Sequence, residues 1–353
     1  MVGIRQFRTT INIFSEFINM AIINNANRGS HISTLLLIDE LLLKFNSKQP
    51  EEFFPRSKLL GSAMPDSLYL KNEKGEDGTF GVNTNAKDKM RESLDFWTEN
   101  GLWDSSELEN GEKAYQSKWL TSTRLNLPKR ILDVISNHYF ENGQLKFSLE
   151  EFYNNDELSR DFSTFVFAMC FFLYQEESTF QNQSFLTQSS ARELMSSSVQ
   201  QGGIRITFNK AEESGVMEYG HLLGFFEVVG KDQYNVDPTR FIEWYLTEIF
   251  NRDKELSIQE FLDKLNRILP IFDTGPYQQS LPNYLNIKRP SVNFNDGSIQ
   301  ISSALSLALY RLEKKKLIRL EARSDSAVLF NLNLPTSLTK QVSHIQFSGE
   351  VNK

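Results

Sequence analysis

The feature that most constrains this chain is a local grammar met three times: an amphipathic helix, a short break, then a β-hairpin with a polar tip. The first copy predicts a helix over residues 85–100, a break at Gly101, and a hairpin opening at Leu102 and Trp103. A largely polar stretch, residues 105–113, leads to a return strand over 115–120. The second copy predicts a helix ending near Leu223, then Gly224 and a strand over 225–229. Turn chemistry at Gly230, Lys231 and Asp232 precedes a return over 234–236. The third predicts a helix over 301–315, a strand over 317–321, a turn at Arg323, Ser324 and Asp325, and a strand over 327–332.

Copies one and three align residue by residue. Leu94 and Trp97 precede Leu102 by the same spacings at which Leu309 and Leu312 precede Leu317, so both pairs point into a core. The second copy, with Val216, Tyr219 and Leu223, fits after a one-residue shift. A helix followed by a two-stranded wing is the end of a winged-helix domain. The expected fold is therefore mainly α with small β-hairpin wings, an α+β chain of tandem winged-helix domains joined by helices. Unrelated helix-hairpin units in another α+β protein are the alternative.

This reading divides the chain into an N-terminal helical arm (1–30), a first winged-helix-like domain (31–125), a helical spacer (126–157) and a second such domain (158–238). A connecting helix and third domain (239–334) and a loosely ordered tail (335–353) follow. Helices over 33–45, 162–174, 190–195 and 257–269 complete the units, with capping boxes at Ser190 and Glu193 and at Ser257 and Glu260. Asp237-Pro238 starts the connecting helix over 239–250, and the spacer carries a helix over 127–140 and another from Ser148. Loops are expected over 71–84, 175–183, 196–203 and 288–298.

Composition narrows the function. Hydrophobic residues are 40% of 353, enough for a real core, and the net charge of -7 argues against coating nucleic acid by bulk charge. A local basic patch stays open. The lone Cys170 excludes an internal disulfide and a multi-cysteine zinc site, and suits a reducing cytoplasm. His31, His138, His221 and His344 lack metal-ligand spacing, so no metal or cofactor is expected. The longest apolar run, residues 162–173, falls short of the ~20 residues of a membrane span and reads as a buried core helix. The apolar stretch after Arg5 and Arg8 is interrupted by Asn12, Ser15, Glu16 and Asn19, unlike a signal peptide. A cytoplasmic protein with no membrane partner and no small-molecule ligand is expected.

No phosphate-binding loop, dinucleotide fingerprint, zinc-protease helix or nucleophile elbow occurs, so no catalytic residue is assigned. Pro65-Asp66 with Glu73-Lys74 comes nearest to a nuclease pattern but lacks the spacer between acid and lysine. Asp273-Thr274-Gly275 matches the aspartic-protease triplet, yet it follows a helix and Pro270, and it reads as a turn.

Phe208-Asn209, then Tyr219-Gly220-His221-Leu222-Leu223-Gly224-Phe225, then Asp237-Pro238-Thr239 stand in an order that resembles the DpdG family. Ala304-Leu305-Ser306-Leu307-Ala308-Leu309 and Asp325 extend the resemblance, with Tyr219 where such proteins show Trp. It implies a component of bacterial clusters that place 7-deazaguanine derivatives in DNA and restrict unmarked DNA, beside helicase and ATPase partners. It implies no catalytic residue.

Two function classes follow: a non-catalytic DNA-binding or adaptor subunit of such a defence system, or a scaffold whose winged helices dock helicase or ATPase subunits without touching DNA. A transcriptional regulator is a variant of the first. Charge on the last helix of each unit discriminates. In unit one, Met90, Leu94 and Trp97 face inward and leave Asp88, Glu92, Asp95 and Glu99 outward, a face that phosphates repel but a basic partner would suit. In unit three, Leu305, Leu309 and Leu312 face inward, leaving Ser303, Leu307, Tyr310 and Lys314 outward with Gln300 and Arg311 beside them. Lys315, Lys316, Arg319 and Arg323 carry positive charge toward the wing. Gln300, Ser303, Arg311, Lys314, Arg319 and Arg323 are accordingly the expected contacts to double-stranded DNA.

Overall fold

The computed structural model describes residues 22–24, 27–63, 70–74, 78, 80–82, 84–117, 127–154, 160–175, 185–202, 209–210, 212–285, 287, 298–324, 326, 328–334 and 339–348. Unit one runs α1 (Ile32–Asn46), β1 (Phe54–Pro55), α2 (Arg56–Ala63), β2 (Leu70–Lys74), β3 (Phe80–Val82), α3 (Thr84–Glu99), β4 (Asp104–Glu107) and β5 (Lys113–Gln116). The spacer holds α4 (Leu127–Tyr139), β6 (Phe140–Glu141), β7 (Gln144–Leu145) and α5 (Leu149–Asn154). Unit two holds α6 (Arg160–Tyr174), α7 (Gln188–Gly202), α8 (Glu213–Leu222), β8 (Phe226–Gly230) and β9 (Gln233–Val236). Unit three begins with α9 (Thr239–Phe250), β10 (Glu255–Ser257), α10 (Ile258–Ile268), α11 (Pro276–Tyr284) and β11 (Ile299–Gln300). It ends with α12 (Ser303–Lys314), β12 (Ile318–Glu321), β13 (Phe330–Asn333), β14 (Thr339–Val342) and β15 (His344–Phe347). The chain is mainly helical with small, mostly antiparallel sheets, an α+β protein.

α3, α8 and α12 stop in the same way. Gly101, Gly224 and Lys316 sit at φ 84°, 81° and 60°. The next residue then turns its N–H back onto the helix: Leu102 to Trp97 O at 2.8 Å, Phe225 to Gly220 O at 2.8 Å, Leu317 to Leu312 O at 3.0 Å. A left-handed residue followed by an apolar one packed on the core is a Schellman stop. It makes Trp97, Gly220 and Leu312 equivalent, so the second copy needs no one-residue shift. Gly220 leaves out the side chain its counterparts carry because the Phe226 ring fills that space, 2.4 Å from where a Cβ would lie.

Sheet order repeats as well. β1, β5 and β4 lie in that order, with Phe54 opposite Tyr115 and Ser105 opposite Tyr115 on the other side. β10, β15 and β12 lie in that order, with Ile345 between Leu256 and Leu320. In unit two the bridge from Leu186 to Tyr234 puts a single residue beside β9, whose other edge pairs with β8. In each unit the residues before the second helix neighbour the last strand, which neighbours the strand after the helix with the shared stop, the third helix in units one and two and the fourth, α12, in unit three.

Several expectations need correction. Within the expected loop 71–84, the described residues 71–74 and 80–82 are strand: β2 and β3 pair antiparallel. Residues 196–202 continue α7, and the cap lies a turn earlier than Ser190 and Glu193, where Thr187 N–H donates to Ser190 Oγ at 2.8 Å. In unit three, β12 does not pair with the strand that follows it. β13 is buried along Phe330, Asn331 and Leu332, so it needs neighbours on both edges and takes β11 and β14. The tail supplies the missing partner. Residues 339–347 form β14 and β15, and Val342 and Ile345 are fully buried, so this segment is core rather than loosely ordered. Most of the N-terminal arm, residues 118–120, Asp66, Phe208, Asp325 and most of the loops over 175–183 and 288–298 lie outside the described residues.

The core centres on α6. Every residue from Phe162 to Tyr174 is buried, as the unbroken apolar run predicts, and α6 packs against α8, α11 and α12. Cys170 is buried within it.

Candidate functional site

The basic residues of unit three divide in two. Arg311 Nη1 lies 2.7 Å from Glu227 on β8 and also bonds Asp237, welding unit three to unit two. Arg323 pairs with Glu255 at 2.6 Å and Glu321 at 3.4 Å, and Lys315 with Glu243 of α9 at 2.6 Å. Lys314 is exposed, its ammonium 5.0 Å from the Tyr310 ring centre, and Lys316 is exposed beside it. Arg319 is 70% exposed and leans on Glu321 at 3.3 Å. Gln300 is half-buried on β11. Ser303 and Leu307 do not face outward as the helical wheel predicts. Both are buried, because α9, β13 and α6 pack on α12, and the Ser303 hydroxyl accepts from Asn333 Nδ2 at 2.8 Å.

The acidic face of α3 also breaks up. Asp88 pairs with Arg91 at 3.1 Å and Glu99 with Arg28 at 3.3 Å, while Glu92 is exposed. Asp95 turns inward, accepting from the Tyr115 hydroxyl at 2.8 Å and from Arg56. Burial pushes that hydroxyl well above the ordinary tyrosine range.

The motifs around residues 219–239 converge. The Tyr219 hydroxyl donates to Gly29 O at 2.6 Å, tying unit two to the segment ahead of α1. Gly224 lets α9 approach closely: a Cβ there would lie 2.7 Å from Phe241 N and 3.1 Å from Trp244 Cζ3. Asp237 Oδ1 accepts the Thr239 N–H at 3.0 Å, fixing the first turn of α9. Arg240 donates to the carbonyls of His221 and Leu222 at the end of α8, its guanidinium 5.6 Å from the Trp244 ring centre. These contacts shape a groove of about 720 Å³, walled by Ile32 and Leu36 of α1, Pro128 of α4, Leu222, Val228, Tyr234 and Trp244, with Glu218, His221 and Arg240 as its charged and polar members. Sequence reasoning missed it because its walls come from three segments. The one signal was the glycine spacing between Gly220 and Gly224.

A family model described as DpdG-like matches residues 20–326. The chain belongs to the DpdG-like family. That family suggests a component of a 7-deazaguanine modification system. No curated protein and no solved structure matches the chain.

A second, polar cleft in this DpdG-like chain lies between α4, α9 and α10, with a volume of about 550 Å³. Tyr245 donates to Asp133 at 2.8 Å there, and burial raises the Asp133 carboxyl. Two of its cations are already paired, Lys129 with Glu248 at 3.0 Å and Lys264 with Asp253 at 2.9 Å.

Asp273 follows α10 in a turn, as expected, but it also staples two segments. Its carboxylate accepts the Ser302 N–H at 2.9 Å and the Ser302 hydroxyl at 2.5 Å, at the cap of α12. Asp273→Ala is expected to cost about 1–3 kcal/mol in urea unfolding by stranding those buried donors. Biological activity of the folded variant should stay largely at the wild-type level. Loss of function without loss of stability would restore a chemical role for Asp273.

Proposed function

We propose that this DpdG-like chain is a non-catalytic, cytoplasmic DNA-binding adaptor of a bacterial system that marks DNA with 7-deazaguanine derivatives and restricts unmarked DNA. Its three units are tandem winged helices. The observation carrying this reading is the sheet order, complete in units one and three and reduced to a single bridge in unit two, with the helix stop shared by all three. A short strand, two helices and a two-stranded wing in that pairing order are what a winged helix requires, with α11 and the sheet of β11, β13 and β14 as insertions in unit three. Double-stranded DNA then meets the exposed Lys314, Lys316 and Arg319, while Arg311 joins unit three to unit two and Arg323 is held by Glu255 and Glu321 within unit three. Since the start of α12 is buried, the contacts are to phosphates, which position a protein without reading sequence.

Replacing Lys314, Lys316 and Arg319 by Glu should weaken duplex binding and flatten its salt dependence by roughly 0.9 per lost contact. Neutralising Asp88, Glu92 and Glu99 should leave it unchanged or slightly stronger. Equal affinity of all three proteins, measured across a salt series, would defeat the DNA reading. Nuclease or ATPase turnover that follows the chain through purification would defeat the non-catalytic one.

Docking of helicase or ATPase subunits is the second reading. It is favoured by Val228 and Val229 on β8, 49% and 42% exposed on an edge strand.

A further inference from the structure

The turns of α12 that would read bases in a major groove are buried, so a base contact needs another surface. The groove beside Trp244 has the chemistry for one. Leu36, Leu222 and Val228 make it apolar, Trp244 with the Arg240 guanidinium over its ring offers a stacking surface, and its volume of about 720 Å³ suits a nucleoside. Glu218 and His221 stand three residues apart on α8, hence on one face. His221 Nδ1 lies 3.1 Å from Phe226 O, and a carbonyl only accepts, so Nδ1 carries a proton and Nε2 is the acceptor in the singly protonated ring. Glu218 adds two carboxylate oxygens and forms no ion pair or hydrogen bond among the described residues. The groove thus sets acceptors beside an aromatic plane.

We propose that this groove binds an unstacked guanine-type base, its ring against Trp244 and its neighbouring N–H donors on Glu218, with His221 as a further acceptor. A carboxylate accepts two parallel N–H bonds. The Watson–Crick edge of guanine offers two adjacent donors, the ring N–H and the exocyclic amine. Adenine and cytosine would set a ring acceptor against the carboxylate, and thymine supplies one donor between two carbonyls. Stacking on an aromatic side chain supplies affinity that any base shares, so the carboxylate sets the preference. The base can come from a free nucleotide or from a DNA strand, and only the second source rests on the DNA-binding reading above.

The test uses the full chain with guanosine monophosphate, adenosine monophosphate and an oligothymidylate carrying one guanine, read by equilibrium dialysis. Guanosine monophosphate should bind about tenfold or more tightly than the adenosine compound, and Glu218→Gln should remove that preference. Trp244→Ala should weaken both, and Trp244→Phe should restore most of the loss, which separates stacking from folding. Binding of the oligonucleotide together with the mononucleotide assigns the site to DNA; binding of the mononucleotide alone assigns it to a free nucleotide. Either result upholds the base site. Equal affinity for the two mononucleotides, an unchanged preference in Glu218→Gln, or no binding of any probe at about 1 mM overturns it. Duplex binding lost in the Lys314, Lys316 and Arg319 variant with the guanine preference intact would leave this site standing apart from the phosphate contacts.

Discussion

Replacing Asp39 with Ala is expected to destabilise the chain by about 3–5 kcal/mol. Asp39 sits on α1 among Leu35, Ile38 and Leu42, the stripe that faces the core. Its carboxylate is 1% exposed and meets the guanidinium of Arg130 on α4, 2% exposed, at 2.5 Å. The Trp103 indole donates to the other oxygen at 3.1 Å. Removing the acid strands a buried cation and a buried N–H donor together. Removing both charges leaves only the indole N–H unpaired: Asp39→Leu with Arg130→Met should recover much of the loss, because an apolar pair avoids the desolvation cost. Urea unfolding of the two single variants and the double variant measures the coupling directly. Singles that each cost under about 1 kcal/mol would mean that water solvates the pair. The pair also joins unit one to the spacer, so α1 with Leu36 and α4 with Pro128 hold the groove wall only while it is intact.

The legible part of this fold was the part written locally. Helices α3, α9 and α10 and the hairpin of β8 and β9 follow from periodicity, caps and turn residues that lie within a few positions of each other. The Ser257 and Glu260 capping box forms as its spacing predicts. What the sequence hid was pairing across distance. β15 reaches β10 and β12 from the end of the chain, and nothing local in His344-Ile345-Gln346-Phe347 marks a central strand. The same limit governs the candidate site. Arg311 reads as a free cation on a helical wheel and Arg323 as one on the wing, but their partners Glu227, Asp237 and Glu255 come from other elements. Ser303 and Leu307 read as outward because a wheel shows one helix and not the three elements packed over it.

The three equivalent helix stops allow a matched experiment whose largest effect falls on Gly224. Gly101→Ala meets nothing within 4 Å, so it should pay only for a left-handed alanine, about 1–2 kcal/mol. Gly224→Ala carries the same strain and adds a collision with backbone, its Cβ 2.7 Å from Phe241 N and 3.2 Å from Arg240 C. Backbone cannot step aside as a flexible side chain does, so overpacking adds about 1–3 kcal/mol and the total reaches roughly 3–4. Lys316 already occupies this conformation at φ 60°, and Lys316→Gly should instead stabilise by about 1 kcal/mol. Unfolding midpoints should therefore fall in the order Lys316→Gly, wild type, Gly101→Ala, Gly224→Ala. Gly224→Ala should also alter the fluorescence of Trp244, whose ring lies 3.1 Å from the added methyl, while Gly101→Ala leaves it unchanged. Equal costs at the two glycines would mean that the close approach of α9 to the end of α8 is slack, and with it the wall that Trp244 gives the groove.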